Sequence, residues 1–170
     1  MNKRRLARER AVQFLYQWDL NSSGEATEGL ERFWEVHRAE PLFDDKAKAT
    51  WSPEEKRKLP PPSLQDLAVK DFMESLVLGV LKHLPELDQT IVKYAKNWNL
   101  RRMATVDRNI LRLAVYEIKH RNDIPPVVSI NEAVDIAKKY STEDSGKFVN
   151  GILDKIRSDT LRPSRQSTER

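Results

Sequence analysis

From Thr105 to Ile156 the apolar residues recur at intervals of three and four through three consecutive segments. That spacing puts them on one side of a 3.6-residue helix and does not fit the two-residue alternation of a strand. In the first segment Val106, Ile110, Leu111, Leu113, Ala114, Val115 and Ile118 cover most of the circumference, which predicts a central helix opened by Thr105 as N-cap. Pro125 and Pro126 break the pattern. Ser129-Ile130-Asn131-Glu132 then has the spacing of a capping box, with Ile130, Ala133, Val134 and Ala137 inward. Ser141 or Thr142 caps the third segment, whose inner face is Val149, Ile152, Leu153 and Ile156.

The same intervals hold upstream, and glycine is scarce, so the whole chain is expected to be all-α with seven helices. A first helix over about 3–20 sets Ala7, Ala11, Phe14, Leu15 and Trp18 on one face and stops at Asn21-Ser22-Ser23-Gly24. A second, about 26–40, turns Leu30, Phe33, Trp34 and His37 inward and ends before Pro41. Charges and prolines over 44–62 interrupt the periodicity and mark an inserted excursion, with one short helix expected at Ser52-Pro53-Glu54-Glu55. Ser63 and Asp66 fit the cap of a third helix running to about His83, with Leu67, Phe72, Leu76 and Val80 inward and Gly79 admitting a close neighbour. Pro85 opens a fourth helix to about Trp98. The expected organisation is one domain over 1–158 made of two packed helical subdomains, about 1–84 and 85–158, followed by a polar, disordered tail over 159–170.

Several chemistries find no support in the sequence. There is no cysteine, which removes disulfides, thiolate metal sites and cysteine nucleophiles and fits a reducing compartment. His37, His83 and His120 lie on different expected helices without HExxH spacing, so no metal site is expected. Five scattered glycines make neither GxGxxG nor GxxxxGK[ST], and adjacent acidic pairs such as Asp44-Asp45 do not face each other on a helix. No cofactor is called for and no catalytic constellation is visible. Absence of a long apolar run or a signal-like start predicts a cytosolic protein without a membrane partner. The net charge of +4 shifts the balance towards an anionic partner.

Three polar clusters stand out. Arg5, Arg8, Val12 and Tyr16 fall within an arc of about 80° on the first helix, flanking its apolar face and bordered by Arg4. Two guanidinium forks and a phenol suit phosphate and a stacked base, while the alternative is a solubilising face. Asp144, Ser145, Lys147 and Phe148 gather at the start of the last helix, where backbone N–H groups and a lysine suit phosphate. There Phe148 is either a base platform or a core residue beside Val149 and Ile152. Asp107, Arg108, Arg112 and Glu117 on the fifth helix are either solvent-facing or internally paired.

Four blocks, RRLARERAVQFLYQWD (4–19), DRNILRLAVYEI (107–118), IPPVVSINEAVDIAKKY (124–140) and SGKFVNGILDKI (145–156), closely resemble the NusB family of transcription antitermination proteins. The resemblance implies the all-α NusB-like fold and a binding protein. It would pair with the ribosomal protein NusE, bind boxA-type single-stranded RNA and act within the RNA polymerase antitermination complex, especially on ribosomal RNA. The positions matching the family's RNA-binding segments are Arg4, Arg5, Arg8, Gln13, Tyr16, Asp144, Ser145, Lys147 and Phe148. Asp107 matches its acidic position at the head of the fifth helix, a candidate NusE contact together with Glu117. Two departures are Leu6, where some relatives carry arginine, and the long stretch over about 36–63 with Trp51 and Lys56-Arg57-Lys58. The same fold also serves as the RNA-binding module of certain ribosomal RNA methyltransferases, but no catalytic cysteine or glycine-rich loop follows Ile156. A protein-binding scaffold without RNA contact and a homodimer covering the arginine stripe are further alternatives.

Overall fold

A computed structural model of the chain describes residues 2–38, 61–96 and 99–168, with side chains described as far as 160. Most of the 44–62 excursion, including its expected short helix, and Trp98 lie outside the described residues. Seven α-helices and no strand are found among those residues: α1 (Lys3–Leu20), α2 (Ala26–His37), α3 (Leu64–Lys82), α4 (Leu84–Tyr94), α5 (Thr105–His120), α6 (Pro126–Tyr140) and α7 (Glu143–Thr168). None of the described helices is long and apolar enough to cross a membrane. The chain divides into two compact units, Met1–Leu78 and Gly79–Arg170. The division falls inside α3 rather than at residue 84, because the last turn of that helix packs with the second unit.

In the first unit α1 buries Ala7, Ala11, Phe14 and Leu15, and α2 buries Leu30, Phe33 and Trp34. The Phe14 and Phe33 rings meet edge to face at 5.6 Å, a geometry that aligns the positive edge of one ring with the negative face of the other. The expected cap of α3 is reciprocal. The Ser63 N–H donates to Asp66 Oδ2 at 2.9 Å, and the Asp66 N–H donates to Ser63 Oγ at 3.1 Å. Leu67 departs from expectation, being 40% exposed.

The second unit is built around α5, on which Ile110, Leu111, Leu113, Ala114 and Val115 are all buried. It packs with α4, α6 and α7. Gly79 admits the Tyr116 ring so closely that a Cβ there would lie 2.1 Å from Cζ. Arg112 is buried and internally paired, donating from Nε and Nη2 to the two carboxylate oxygens of Asp88 at 2.7 and 3.0 Å.

Several terminal features differ from the sequence reading; α4, for one, ends at Tyr94 with Ala95 as C-cap and not near Trp98. The N-cap of α5 is Ala104, not Thr105, which is already helical. Helix α6 starts at Pro126 with Pro125 as N-cap, so Ser129 lies inside the helix and does not cap it. Proline costs nothing at a first-turn position whose N–H has no intrahelical partner. Over 159–168, expected as part of a disordered tail, the described residues continue α7 as far as Thr168. Thr160 Oγ1 donates to the Ile156 carbonyl, and the Tyr94 hydroxyl donates to Asp159 Oδ2, tying that stretch to α4 and raising the Tyr94 pKa.

Candidate nucleic-acid interface

Thr142 begins the C-terminal site by capping α7, its Oγ1 accepting the Ser145 N–H at 3.0 Å. The Ser145 hydroxyl donates to Asp107 Oδ2 at 3.0 Å and therefore accepts from Ser141 and Thr142, at 2.8 and 3.2 Å. This chain of hydroxyls fixes the first turn of α7 against the head of α5. Gly146 helps, because a Cβ there would come within 2.9 Å of the Lys138 side chain on α6. Thr142→Ala is expected to cost about 0.5–2 kcal/mol of stability, measurable by denaturant unfolding.

The result is an open pocket of about 200 Å³ lined by Met103, Ala104, Asp107, Thr142, Asp144, Ser145 and Phe148. Asp107 forms its floor, 7% exposed. Its Oδ1 has no hydrogen-bond partner among the described residues. A buried carboxylate oxygen without a donor is costly, and this one is closed off from solvent at the base of the pocket. Asp144 and Lys147 are exposed beside the pocket, and Phe148 is half-buried, one part of its ring in the wall. Val149, Ile152, Leu153 and Ile156 are the buried face of α7, as expected. The structure thus brings Asp107, Asp144, Ser145 and Phe148 together.

Asp107 and Glu117, the candidate NusE contacts, are both buried. Glu117, 1% exposed, accepts the Ser129 hydroxyl at 3.1 Å and so serves the interior of the second unit. Sequence gives the acidity of these positions but not their burial. Arg112 and Asn109, buried near Asp107 on the same helix, were likewise not separable from surface residues by pattern.

In the first unit the arginine stripe is not continuously exposed. Arg4 and Tyr16 are exposed and Arg5 is half-buried, but Arg8 and Val12 are buried, at 2% and 3% exposure. Phe72 of α3 packs against this stripe: its ring centre lies 4.8 Å from the Arg4 guanidinium carbon and 5.4 Å from that of Arg8. Cation–π attraction holds both guanidinium groups against the ring face. Gln13 is half-buried and accepts from Arg10 Nη1 at 2.7 Å. Arg10 and Glu9, which the sequence reading did not single out, are buried too.

A sequence model of the NusB family matches residues 5–158. A transcription antitermination protein NusB from Thermodesulfovibrio yellowstonii is 40% identical over 166 residues, covering 94% of each chain. One from Methylacidiphilum infernorum is 43% identical over 162 residues, covering 95% of each. Among solved structures, T. maritima NusB superposes with a TM-score of 0.66 at 33% identity, covering 93% of this chain and 92% of that one. A crystal structure of the antitermination factors NusB and NusE in complex with double-stranded RNA gives 0.65 at 29% identity, covering 94% and 98%. The four sequence blocks, the all-helical fold and these matches over nearly the full length agree: the chain belongs to the NusB family.

Proposed function

We propose that this protein is a cytosolic transcription antitermination factor that binds boxA-type single-stranded RNA together with the ribosomal protein NusE. It acts by binding rather than catalysis. The observation that carries the reading is the pocket at the start of α7, where a buried, unpartnered Asp107 oxygen sits below exposed Asp144 and half-buried Phe148. A carboxylate acceptor and an aromatic ring suit the exocyclic amino group and the face of a splayed base, and Lys147 alongside suits its phosphate. Ser145 positions Asp107. In the first unit Arg4, Arg5, Gln13 and Tyr16 supply a separate polar stretch for the RNA backbone, with Arg8 as an internal support. A basic partner such as NusE is attracted to exposed Glu143 at the start of α7, with Asp144 left to the RNA, in place of the buried Asp107 and Glu117.

Replacing Arg4 and Arg5 with alanine tests the backbone contact. Each lost phosphate contact on a single strand should make the log–log salt dependence less steep by about 0.7, and affinity should fall for all RNA sequences alike. An unchanged slope removes this stretch from the RNA interface. Running the titration with single-stranded and duplex RNA of the same sequence shows which form the protein prefers. Stronger binding to duplex overturns the single-strand assignment.

A further inference from the structure

Helix packing in the second unit joins two histidines that the sequence keeps apart. His83, in the turn between α3 and α4, and His120, in the last turn of α5, stack ring on ring with centres 3.9 Å apart. Glu86 of α4 lies against both. Its Oε2 is 3.5 Å from His83 Nδ1, and its Oε1 is 3.3 Å from His120 Nε2. One ligand atom from each of the three side chains lies within 4.8 Å of the others. We propose that His83, Glu86 and His120 form a binding site for a divalent transition-metal ion such as Zn²⁺, with the fourth position open to solvent.

The donor set fits that class. Two imidazole nitrogens and one carboxylate oxygen are borderline ligands that favour zinc, cobalt or nickel over magnesium or calcium, which prefer all-oxygen shells. The backbone carrying the ligands is held firmly. The His83 N–H donates to the Gly79 carbonyl at 3.2 Å, Leu87 beyond Glu86 is fully buried, and Tyr116 is wedged against Gly79 one turn before His120. The ligand side chains themselves are free to adjust, with exposures of 29% for His83, 28% for His120 and 46% for Glu86. Metal–ligand bonds of about 2.0–2.2 Å require donor atoms closer than their present spacing. Stacked rings also aim their lone pairs alongside each other, so binding would turn at least one imidazole edge-on to the ion. The carbonyl end of α5 lies at His120 and favours a cation there. Lys119 is the opposing charge, 3.7 Å from Glu86 Oε1. It also donates to Thr90 Oγ1 at 2.8 Å, an anchor it keeps when the metal takes the carboxylate.

The test is titration of the full-length protein with Co²⁺ and Zn²⁺ in a buffer that does not bind metal. Visible absorption of Co²⁺ reads the coordination, and calorimetry reads the stoichiometry for Zn²⁺. One ion per chain is expected, with a cobalt spectrum of low coordination number and a zinc-dependent rise in melting temperature. His120→Ala and Glu86→Gln should each weaken binding by at least about 10-fold, the smaller loss seen even for residues that only support a ligand. His37→Ala, in the first unit, should leave it unchanged. Should His120→Ala unfold, His120→Gln keeps bulk and polarity and carries the same expectation. Absence of saturable uptake by the native protein, or uptake that the His120 and Glu86 variants retain, overturns the site.

Discussion

Glu117→Lys is expected to destabilise the protein by about 3–5 kcal/mol, the range for leaving a charge uncompensated in an interior. The carboxylate is 1% exposed and accepts the hydroxyl of Ser129, itself buried in α6. Arg121, whose pKa is raised first by its hydrogen bond to Asp123, also gains from the negative charge of Glu117. Lysine at 117 would reverse that attraction, leave Ser129 without its acceptor and place an ammonium where no water reaches. A lower urea midpoint is the expected reading, with RNA and NusE binding lost only in proportion to unfolding. A variant as stable as the native protein but selectively weak towards NusE would restore Glu117 to the partner surface.

Phe148→Ala should weaken RNA binding by about 1–3 kcal/mol, the cost of one base stack, or roughly 5–150-fold in affinity. Its effect on folding should stay below the roughly 3–5 kcal/mol typical of deleting a core phenylalanine. The ring is half-buried in the pocket wall, and the buried face of α7 is complete without it. Comparing thermal melting with RNA titration on this variant separates the two roles. A large fall in melting temperature with intact RNA affinity would make Phe148 a structural residue and leave the pocket without its stacking platform.

Local signals in the sequence were largely sufficient for the helices, because apolar periodicity and capping chemistry act within a few residues. Ser63 with Asp66 and Thr142 with Ser145 are in the expected positions. Helix α6 shows two local signals in competition: Pro126 at the first turn prevailed, and Ser129 turned to Glu117. What pattern could not show is which polar residue a neighbouring helix covers. A helical wheel places Arg8 on a flank, and whether a neighbouring side chain such as Phe72 covers that flank is set by packing. Asp107 has the same acidity buried or exposed, and its role as a pocket floor depends on the approach of α7. His83 and His120 form no sequence motif, since their meeting is set by how α4 and α5 pack. The longer course of α7 had no apolar signal to announce it.

Fluorescence anisotropy of a labelled boxA-type RNA strand, titrated with the full-length protein alone and with equimolar NusE, bears most directly on the proposed function. Binding is expected for the protein alone at low salt, tighter with NusE, and weaker for a scrambled strand. Each base read by hydrogen bonding should contribute discrimination of about 1–3 kcal/mol. No binding at low salt with or without NusE, or equal binding of the boxA and scrambled strands under both conditions, would contradict a boxA-reading antitermination factor.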